Sequence, residues 1–144
     1  MGTPDFTHLL VPIANVDDAK RTCDALDEYL GSDIQTITII HVIEQTEGYI
    51  DPASPEALEQ EAKELFSYVE DYFEDGPEIQ RELRYGTDAI EEIIAAADEL
   101  DVSAIGFAPR PKNRLQQLLT ENTSYRLVTE SHHPVVAFSQ GDDD

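Results

Sequence analysis

The chain has 144 residues, 40% of them apolar, and its 31 acidic side chains against nine lysines and arginines give a formal net charge of −22. This length favours a single domain, residues 1–144, with a core that needs neither disulfide nor metal. The negative field disfavours nucleic acids and anionic membranes as partners.

Such acidity is typical of a protein that works in a high-salt cytoplasm, where screening makes the self-repulsion tolerable. The amino terminus has no basic region before an apolar stretch, and no run approaches 18 apolar residues. We therefore expect a soluble cytoplasmic protein of halophilic type.

The first third of the chain predicts two buried strands with a helix between them. Residues 8–13 and 34–44 are short apolar runs of the kind found in strands buried on both faces. The helix begins at Asn15 or Asp17 and ends before Gly31. Its apolar stripe is Ala19, Cys23, Leu26 and Leu30. The single cysteine is therefore interpreted as a buried, unreactive side chain.

A polar linker, residues 45–54, precedes a second helix. Ser54 begins a capping pattern, and the helix ends at Gly76-Pro77. Its apolar residues are Leu58, Ala62, Leu65, Phe66, Val69 and Phe73. Residues 78–86 alternate between apolar and polar side chains, which predicts a weaker third strand near a sheet edge or a solvent-lined groove.

The last third predicts a third helix, opened by Thr87 or Asp88, and two more strands. The inward stripe of this helix is Ile90, Ile93, Ile94 and Ala97. The strands are VSAIGFA, residues 102–108, and PVVAFSQ, residues 134–140, which an acidic tail follows at residues 141–144. Between the strands lie a basic loop and a short helix near residues 122–131, with Leu127 and Val128 predicted on its buried face.

This regular alternation predicts an α/β fold: an open, doubly wound, five-stranded, mostly parallel sheet with helices on both faces, Rossmann-like in type. Ligands of such sheets bind at the carboxyl ends of the strands. Here that rim is expected at residues 13–15, 41–44, 85–86 and 106–109.

The loop that begins on this rim is basic in an otherwise acidic chain. Residues 105–128 contain Arg110, Lys112, Arg114 and Arg126 with Glu121 as the one acidic residue. One interpretation is an anion site, because arginine and lysine bind phosphate and Thr120, Asn122, Thr123 and Ser124 add polar donors. The other is that the cations pair with acidic surface in the chain or its dimer mate.

Several blocks resemble the universal stress protein family: HLLVPI, IIHVIE, the run from Gly86 to Ala108, and the closing LTENTSYRLVTESHHPVVAFSQ. The resemblance implies a homodimer joined through the last strand, in a family of which some members bind ATP. Binding members have a glycine motif after the fourth strand. Gly106 matches its first position, but Pro109 stands at the second glycine and the loop is two residues longer. Ala14 stands where those members have an acidic residue.

This resemblance and the basic loop together define a candidate nucleotide site for ATP or AMP with Mg²⁺. Its residues are Pro12, Ala14, Val42, Gly106, Arg110, Lys112, Arg114, Thr120, Asn122 and Thr123. The candidate dimer interface is Val135, Val136, Ala137 and Phe138. The apolar terminal strand supports it, since an unpaired sheet edge is normally covered.

The main functional hypothesis is a dimeric stress-response module with a degenerate nucleotide loop that acts through protein contacts. The alternative is an adenine-nucleotide sensor that uses the basic loop. A slow ATPase ranks lowest, because no water-activating base or metal pair stands out. We predict no catalytic residue and no metal site, since the adjacent His132 and His133 point to different sides.

Overall fold

A computed structural model describes residues 7–29, 34–44, 55–108 and 125–138. Strands and helices alternate along these ranges. They are β1 (His8–Pro12), α1 (Val16–Tyr29), β2 (Thr36–Glu44), α2 (Pro55–Tyr72), β3 (Glu78–Gly86), α3 (Ala89–Leu100), β4 (Ala104–Phe107), α4 (residues 125–130) and β5 (Val135–Ala137). The predicted linker, the acidic tail, Leu30, Gly31 and Ser54 lie outside the described residues.

The five strands form one sheet in the order β3-β2-β1-β4-β5, and every pairing is parallel. The order reverses between β1 and β4, which pair through Leu9 with Ala104 and Leu10 with Ile105. The predicted doubly wound α/β sheet is confirmed, and β3 is an edge strand as its alternating pattern indicated.

Each face of the sheet has its own apolar core, because alternate strand residues point to opposite sides. The face covered by α1 and α2 contains Leu9, Val11, Ile37, Ile39, Cys23, Leu26, Leu65 and Phe66. The face covered by α3 and α4 contains Leu10, Ile40, Ile90, Ile93, Ile105 and Leu127. Cys23 is fully buried as predicted, and burial, with Asp24 as a second cause, raises the pKa of its thiol to about 12.

The prediction for α4 was half wrong. Leu127 is fully buried, but the side chain of Val128 is 63% exposed. Neighbouring residues of an α-helix point about 100° apart, so both cannot lie on the centre of one buried face. Leu127 therefore packs in the core, and Val128 lies on the surface.

Candidate functional site

The carboxyl edge of the sheet at the β1/β4 reversal is the expected ligand position in this kind of fold. Pro12 ends β1 and is partly buried, while Val42 on β2 packs against the α3 core. Gly106 lies in β4, and Ala14 is exposed just beyond β1. These four predicted site residues therefore lie on or near three neighbouring strands.

The six loop residues of the candidate site, at positions 110, 112, 114, 120, 122 and 123, are outside the described residues. The described part of the site consists of strand ends and helix starts, where side chains of the protein hydrogen-bond to backbone groups at several points.

The turn after β1 is closed by a reciprocal cap at the start of α1. The Asp18 backbone N–H donates to Asn15 Oδ1 at 2.8 Å, and Asp18 Oδ2 accepts from the Ala14 N–H at 2.8 Å. Asp18 also pairs with Arg21 and is only 9% exposed. The Asp18 carboxylate therefore holds the turn between β1 and α1.

His41 fixes the same turn from the neighbouring strand. Its Nδ1 lies 2.9 Å from the carbonyl oxygen of Ile13, and the Ile13 N–H donates to the carbonyl of Ile40 at 3.0 Å. Because a carbonyl oxygen can only accept, Nδ1 of His41 is the donor in this contact. The β1–α1 turn is therefore tethered on the side of β2.

Gly106 has a packing reason to be glycine. A Cβ at this position would lie 2.5 Å from Cε2 and 3.2 Å from Cζ of Phe138. Phe138 is 8% exposed and extends the β5 pairing, since its N–H donates to the Phe107 carbonyl at 2.8 Å. The aromatic ring therefore occupies the space that a side chain at position 106 would need.

The start of α3 lies beside the carboxyl end of β2, and carboxylates of the chain bond its backbone N–H groups. Glu44 Oε2 accepts from the Ala89 N–H at 3.0 Å. Asp88 is the N-cap, and its Oδ1 accepts from the Ile90 N–H at 3.0 Å. Negative groups are stabilised here by the orphan N–H groups and the helix dipole. The place that an external anion would favour already holds two internal ones.

Of the four cations in residues 105–128, Arg126 is the one within the described residues, and it joins α4 to this cap. Its Nη2 lies 2.9 Å from Asp88 Oδ2 and its Nη1 3.2 Å from Asp88 Oδ1. Its Nε lies 3.1 Å from Glu130 Oε2. The Arg126 hydrogen bond, followed by the backbone bond from Ile90, lowers the pKa of Asp88.

Asp88 caps α3 as one of its two predicted openers. Sequence reasoning missed the roles of Glu44 and Asp18 at the rim, and it missed that Arg126 binds the capping residue of α3. A signal existed only for Asp18, because the spacing Asn15-x-x-Asp18 is typical of a capping box. Glu44 and Arg126 act on α3 from 45 and 38 residues away, and nothing local marks them.

Two absences hold within the described ranges. No three metal-ligating side chains are close enough to hold an ion, and no helix is long and apolar enough to cross a membrane. The prediction that the adjacent histidines point to different sides was wrong, because both rings lie beside one carboxylate of α3. His132 Nδ1 is 3.6 Å and His133 Nδ1 3.5 Å from Asp98.

The strand order and the alternation of strands and helices define a doubly wound, parallel α/β protein. A model of the universal stress protein family matches residues 5–139. The chain belongs to the universal stress protein family, as its sequence blocks indicated. No curated protein matches the sequence.

Among solved structures, the hypothetical protein MJ0577 is similar with a TM-score of 0.77 and 20% identity over 96% of this chain and 99% of that one. The universal stress protein from Archaeoglobus fulgidus, in complex with dAMP, has a TM-score of 0.63 and 18% identity over 92% and 98%. A family protein from Arabidopsis thaliana with AMP bound has a TM-score of 0.65 and 16% identity over 96% and 94%. At these identities the likeness shows the fold.

Proposed function

We propose that the chain is a single-domain, dimeric stress-response module that acts through protein contacts, with a rim filled by its own side chains. The observation that carries this proposal is the Phe138 ring against the open side of Gly106. A glycine at a phosphate site serves by letting a ligand approach the backbone. Here the Phe138 ring occupies the space beside the glycine backbone.

Two further positions support a rim whose backbone N–H groups are already hydrogen-bonded by side chains of the protein itself. The Ala14 N–H is bonded by Asp18, and the α3 N-terminus is bonded by Glu44 and Asp88. An entering phosphate would have to displace a carboxylate at either place. The displaced carboxylate would then face the phosphate as a like charge, which disfavours the exchange.

The ion pairs of the described arginines support the interpretation that basic side chains in this protein bind its own carboxylates instead of a ligand. All four arginines of the described ranges pair with acidic side chains. These pairs are Arg21 with Asp18, Arg81 with Glu70, Arg84 with Glu99, and Arg126 with Asp88. By analogy, Arg110, Lys112 and Arg114 would find carboxylates in the chain or its dimer mate.

Dimerisation through the edge of β5 is the second part of the proposal. The Ile105 N–H donates to the Pro134 carbonyl and the Phe138 N–H donates to the Phe107 carbonyl. In a parallel ladder the intervening Val135 and Ala137 then direct their backbone groups outward. Val136 packs against the core and Phe138 is buried in its own protomer, so the outward backbone of the strand carries the contact.

The dimer is tested by Ala137→Pro, because proline removes an N–H that faces away from β4. We expect sedimentation equilibrium to show a weakened or monomeric variant, and the matched Ala137→Thr to associate as the natural protein does. Equal association of the two variants would show that the β5 edge is not the interface.

A second candidate function is adenine-nucleotide sensing with ATP or AMP and Mg²⁺. The dAMP and AMP complexes of similar folds favour it, as does the basic loop. Arg110, Lys112 and Arg114 would hold phosphate, with Thr120, Asn122 and Thr123 as donors. Pro12, Ala14, Val42 and Gly106 would then lie near base and ribose.

Titration calorimetry with ATP and AMP, with Mg²⁺, in molar KCl and at lower salt separates the two functions. The informative variant is Arg110→Ala with Lys112→Ala, and Lys20→Ala with Lys63→Ala is a control of equal charge. Saturable heat abolished in the first variant and kept in the control would establish the sensor. No heat at millimolar nucleotide, from a folded dimer, supports the protein-contact module, and phosphate release measured in parallel tests the slow ATPase.

The proposed setting is a cytoplasm of high ionic strength. Self-repulsion at a net charge of −22 is screened there, which lets such a chain fold and associate. The thermal midpoint should therefore rise with KCl. A midpoint that does not depend on KCl would argue against a halophilic setting.

A further inference from the structure

We infer that the outer edge of β3 binds an extended segment of a partner protein in which basic and apolar side chains alternate. This inference rests on the proposed function, a module that acts through protein contacts, and it names the contact surface and the chemistry of the partner. The bound segment adds a strand to the sheet beside β3, and main-chain hydrogen bonds hold it there.

The edge that β3 presents is long and regular. All nine residues of β3 pair with β2 in one continuous register, from Glu78 with Thr36 to Gly86 with Glu44. Among the described strands, none lies beyond β3. The strand contains neither a proline nor a bulge, which are two devices that keep added strands away from a sheet edge.

The backbone of β3 offers hydrogen-bonding groups on its outer side. The Glu78 N–H donates to the Gln35 carbonyl at 2.9 Å, so the backbone groups of Glu78 face β2. Successive residues of a strand direct these groups to alternate sides. The N–H and C=O groups of residues 79, 81, 83 and 85 therefore face outward, where an added strand would pair with them.

The arginines of β3 are held on the two faces of the sheet, so they do not guard this edge. Charged side chains that extend over an edge keep other strands away from it. Arg81 instead binds Glu70 of α2 through Nε and Nη2, each at 2.7 Å. Arg84 binds Glu99 of α3 through Nη2 at 2.6 Å. Both guanidinium groups are thus engaged by helices of the protein itself.

The α2 side of the edge is apolar. Leu83 and Tyr85 are 37% and 40% exposed, and the Tyr85 hydroxyl binds Glu59 of α2. Both side chains point to the face that Ile79 shares with the α2 core, because alternate residues of a strand lie on one face. Every second side chain of an added strand would lie beside them, and apolar side chains fit there.

The α3 side of the edge is acidic. Arg84 is bound by Glu82, Glu92 and Glu99, so three carboxylates surround one guanidinium group. Glu78 lies further along the same face of β3. Lysine or arginine side chains of an added strand would balance this excess of negative charge. The same charges disfavour a second copy of this acidic chain as the occupant.

The test uses a capped, fluorescently labelled peptide with the sequence Lys-Val-Lys-Val-Lys-Val-Lys as the probe. Its binding to the full chain is followed by fluorescence anisotropy at about 0.2 M KCl. A control peptide has the same composition with its lysines and valines in separate blocks. We expect saturable binding of the alternating peptide and a Kd at least about tenfold higher for the control. Equal binding of the two peptides would overturn the inference.

The main-chain part is tested by Leu83→Pro, which removes an N–H that faces away from β2 and leaves the pairing of β2 and β3 intact. We expect the Kd of the peptide to rise at least about fivefold. Leu83→Val keeps the N–H and an apolar side chain, and its Kd should stay within about twofold of the natural value. Circular dichroism checks the fold of both variants, and equal Kd values would refute pairing at this edge.

The charge part is tested by Glu78→Gln with Glu82→Gln, which we expect to raise Kd about fivefold at the lower salt. The matched control is Asp17→Asn with Glu28→Gln, which makes the same change in net charge at two exposed positions of α1. This control should leave Kd within about twofold of the natural value. Equal effects of the two pairs would show that the peptide responds to net charge alone, which contradicts the inference.

Amide hydrogen exchange gives a position for the bound peptide that does not depend on any variant. The outward N–H groups of Arg81, Leu83 and Tyr85 should exchange more slowly when the peptide is bound. The N–H groups of Glu82 and Arg84 face β2 and should not change. Slow exchange of the three outward groups in the free protein would show that the chain itself or a second copy already covers the edge, which overturns the inference.

Failure of this inference and failure of the proposed function are read from different experiments. A folded natural protein that does not bind the alternating peptide overturns the β3 surface and leaves the proposed function standing. The nucleotide titration described above tests the proposed function directly, and its outcome does not depend on the peptide.

Discussion

Replacing Gly106 by alanine tests whether this glycine exists for packing or for a ligand. The added Cβ would lie 2.5 Å from Phe138 Cε2, whereas ordinary contact begins at 3.4 Å. The ring must therefore shift by nearly an ångström inside a packed core. Overpacking of this kind costs roughly 1–3 kcal/mol, and a less flexible unfolded chain offsets about 0.4–1 kcal/mol.

We therefore expect Gly106→Ala to lower the free energy of unfolding by roughly 1–2 kcal/mol. For a chain of 144 residues, that corresponds to a fall in Tm of roughly 2–8 °C. Urea unfolding in molar KCl, followed by circular dichroism, should show a lower midpoint with an unchanged slope. Gly76→Ala is the matched control, because its Cβ would meet no atom closer than 3.5 Å and should be neutral or slightly stabilising.

The second background is Phe138→Leu, which removes the two ring atoms nearest to the new Cβ. In that background Gly106→Ala should cost nothing or stabilise slightly, a coupling of about 1 kcal/mol or more in the double-mutant cycle. The packing argument fails if Gly106→Ala stays within about 0.5 kcal/mol of the natural protein, or if its cost is the same in both backgrounds.

Three further predictions follow from buried and paired groups. Cys23, with its pKa raised to about 12 by burial, should not react with a thiol reagent at pH 8 in the folded protein and should react fully in denaturant; native reaction would contradict its burial. Asp88→Asn should destabilise the protein by about 0.5–1 kcal/mol at pH 7, because asparagine keeps the cap but loses the charge that binds Arg126. The pKa of Asp88 in the folded protein lies below 3.8, so the stability difference between the natural protein and Asp88→Asn should be present above pH 3.8 and vanish as pH falls through the folded pKa. A stability difference that is constant with pH would refute the charged pair. His8, whose pKa burial lowers despite the opposing charge of Glu78, should titrate below 6.5 by NMR, and its contribution to stability should grow as pH rises through that range; a midpoint above 6.5 would refute it.

Local patterns predicted most of the secondary structure of this protein. The continuous apolar runs became β1 and β2, and the alternating residues 78–86 became an edge strand. Asp88 caps α3 as one of the two predicted openers, and Asn15 caps α1. These features depend on residues within a few positions of one another, so their signals lie in the sequence itself.

The sequence predicted where the rim lies in the sheet, but it did not predict which side chains form hydrogen bonds there. Pro12, Val42 and Gly106 lie on neighbouring strands as expected, because parallel strands share a carboxyl edge. The bond from Glu44 to Ala89 depends instead on which strand ends beside which helix. Side-chain reach across the sheet is set by packing, and periodicity carries no information on it.

The family, the α/β alternation and the acidity of this protein could be predicted from composition, order and local spacing alone. Other features became visible in the packed fold: the Phe138 ring lies against Gly106, Arg126 binds Asp88, and Val128 faces outward. The physical reason is that each of these depends on contacts between distant segments. Strand order and helix rotation bring such segments together only when the two cores pack.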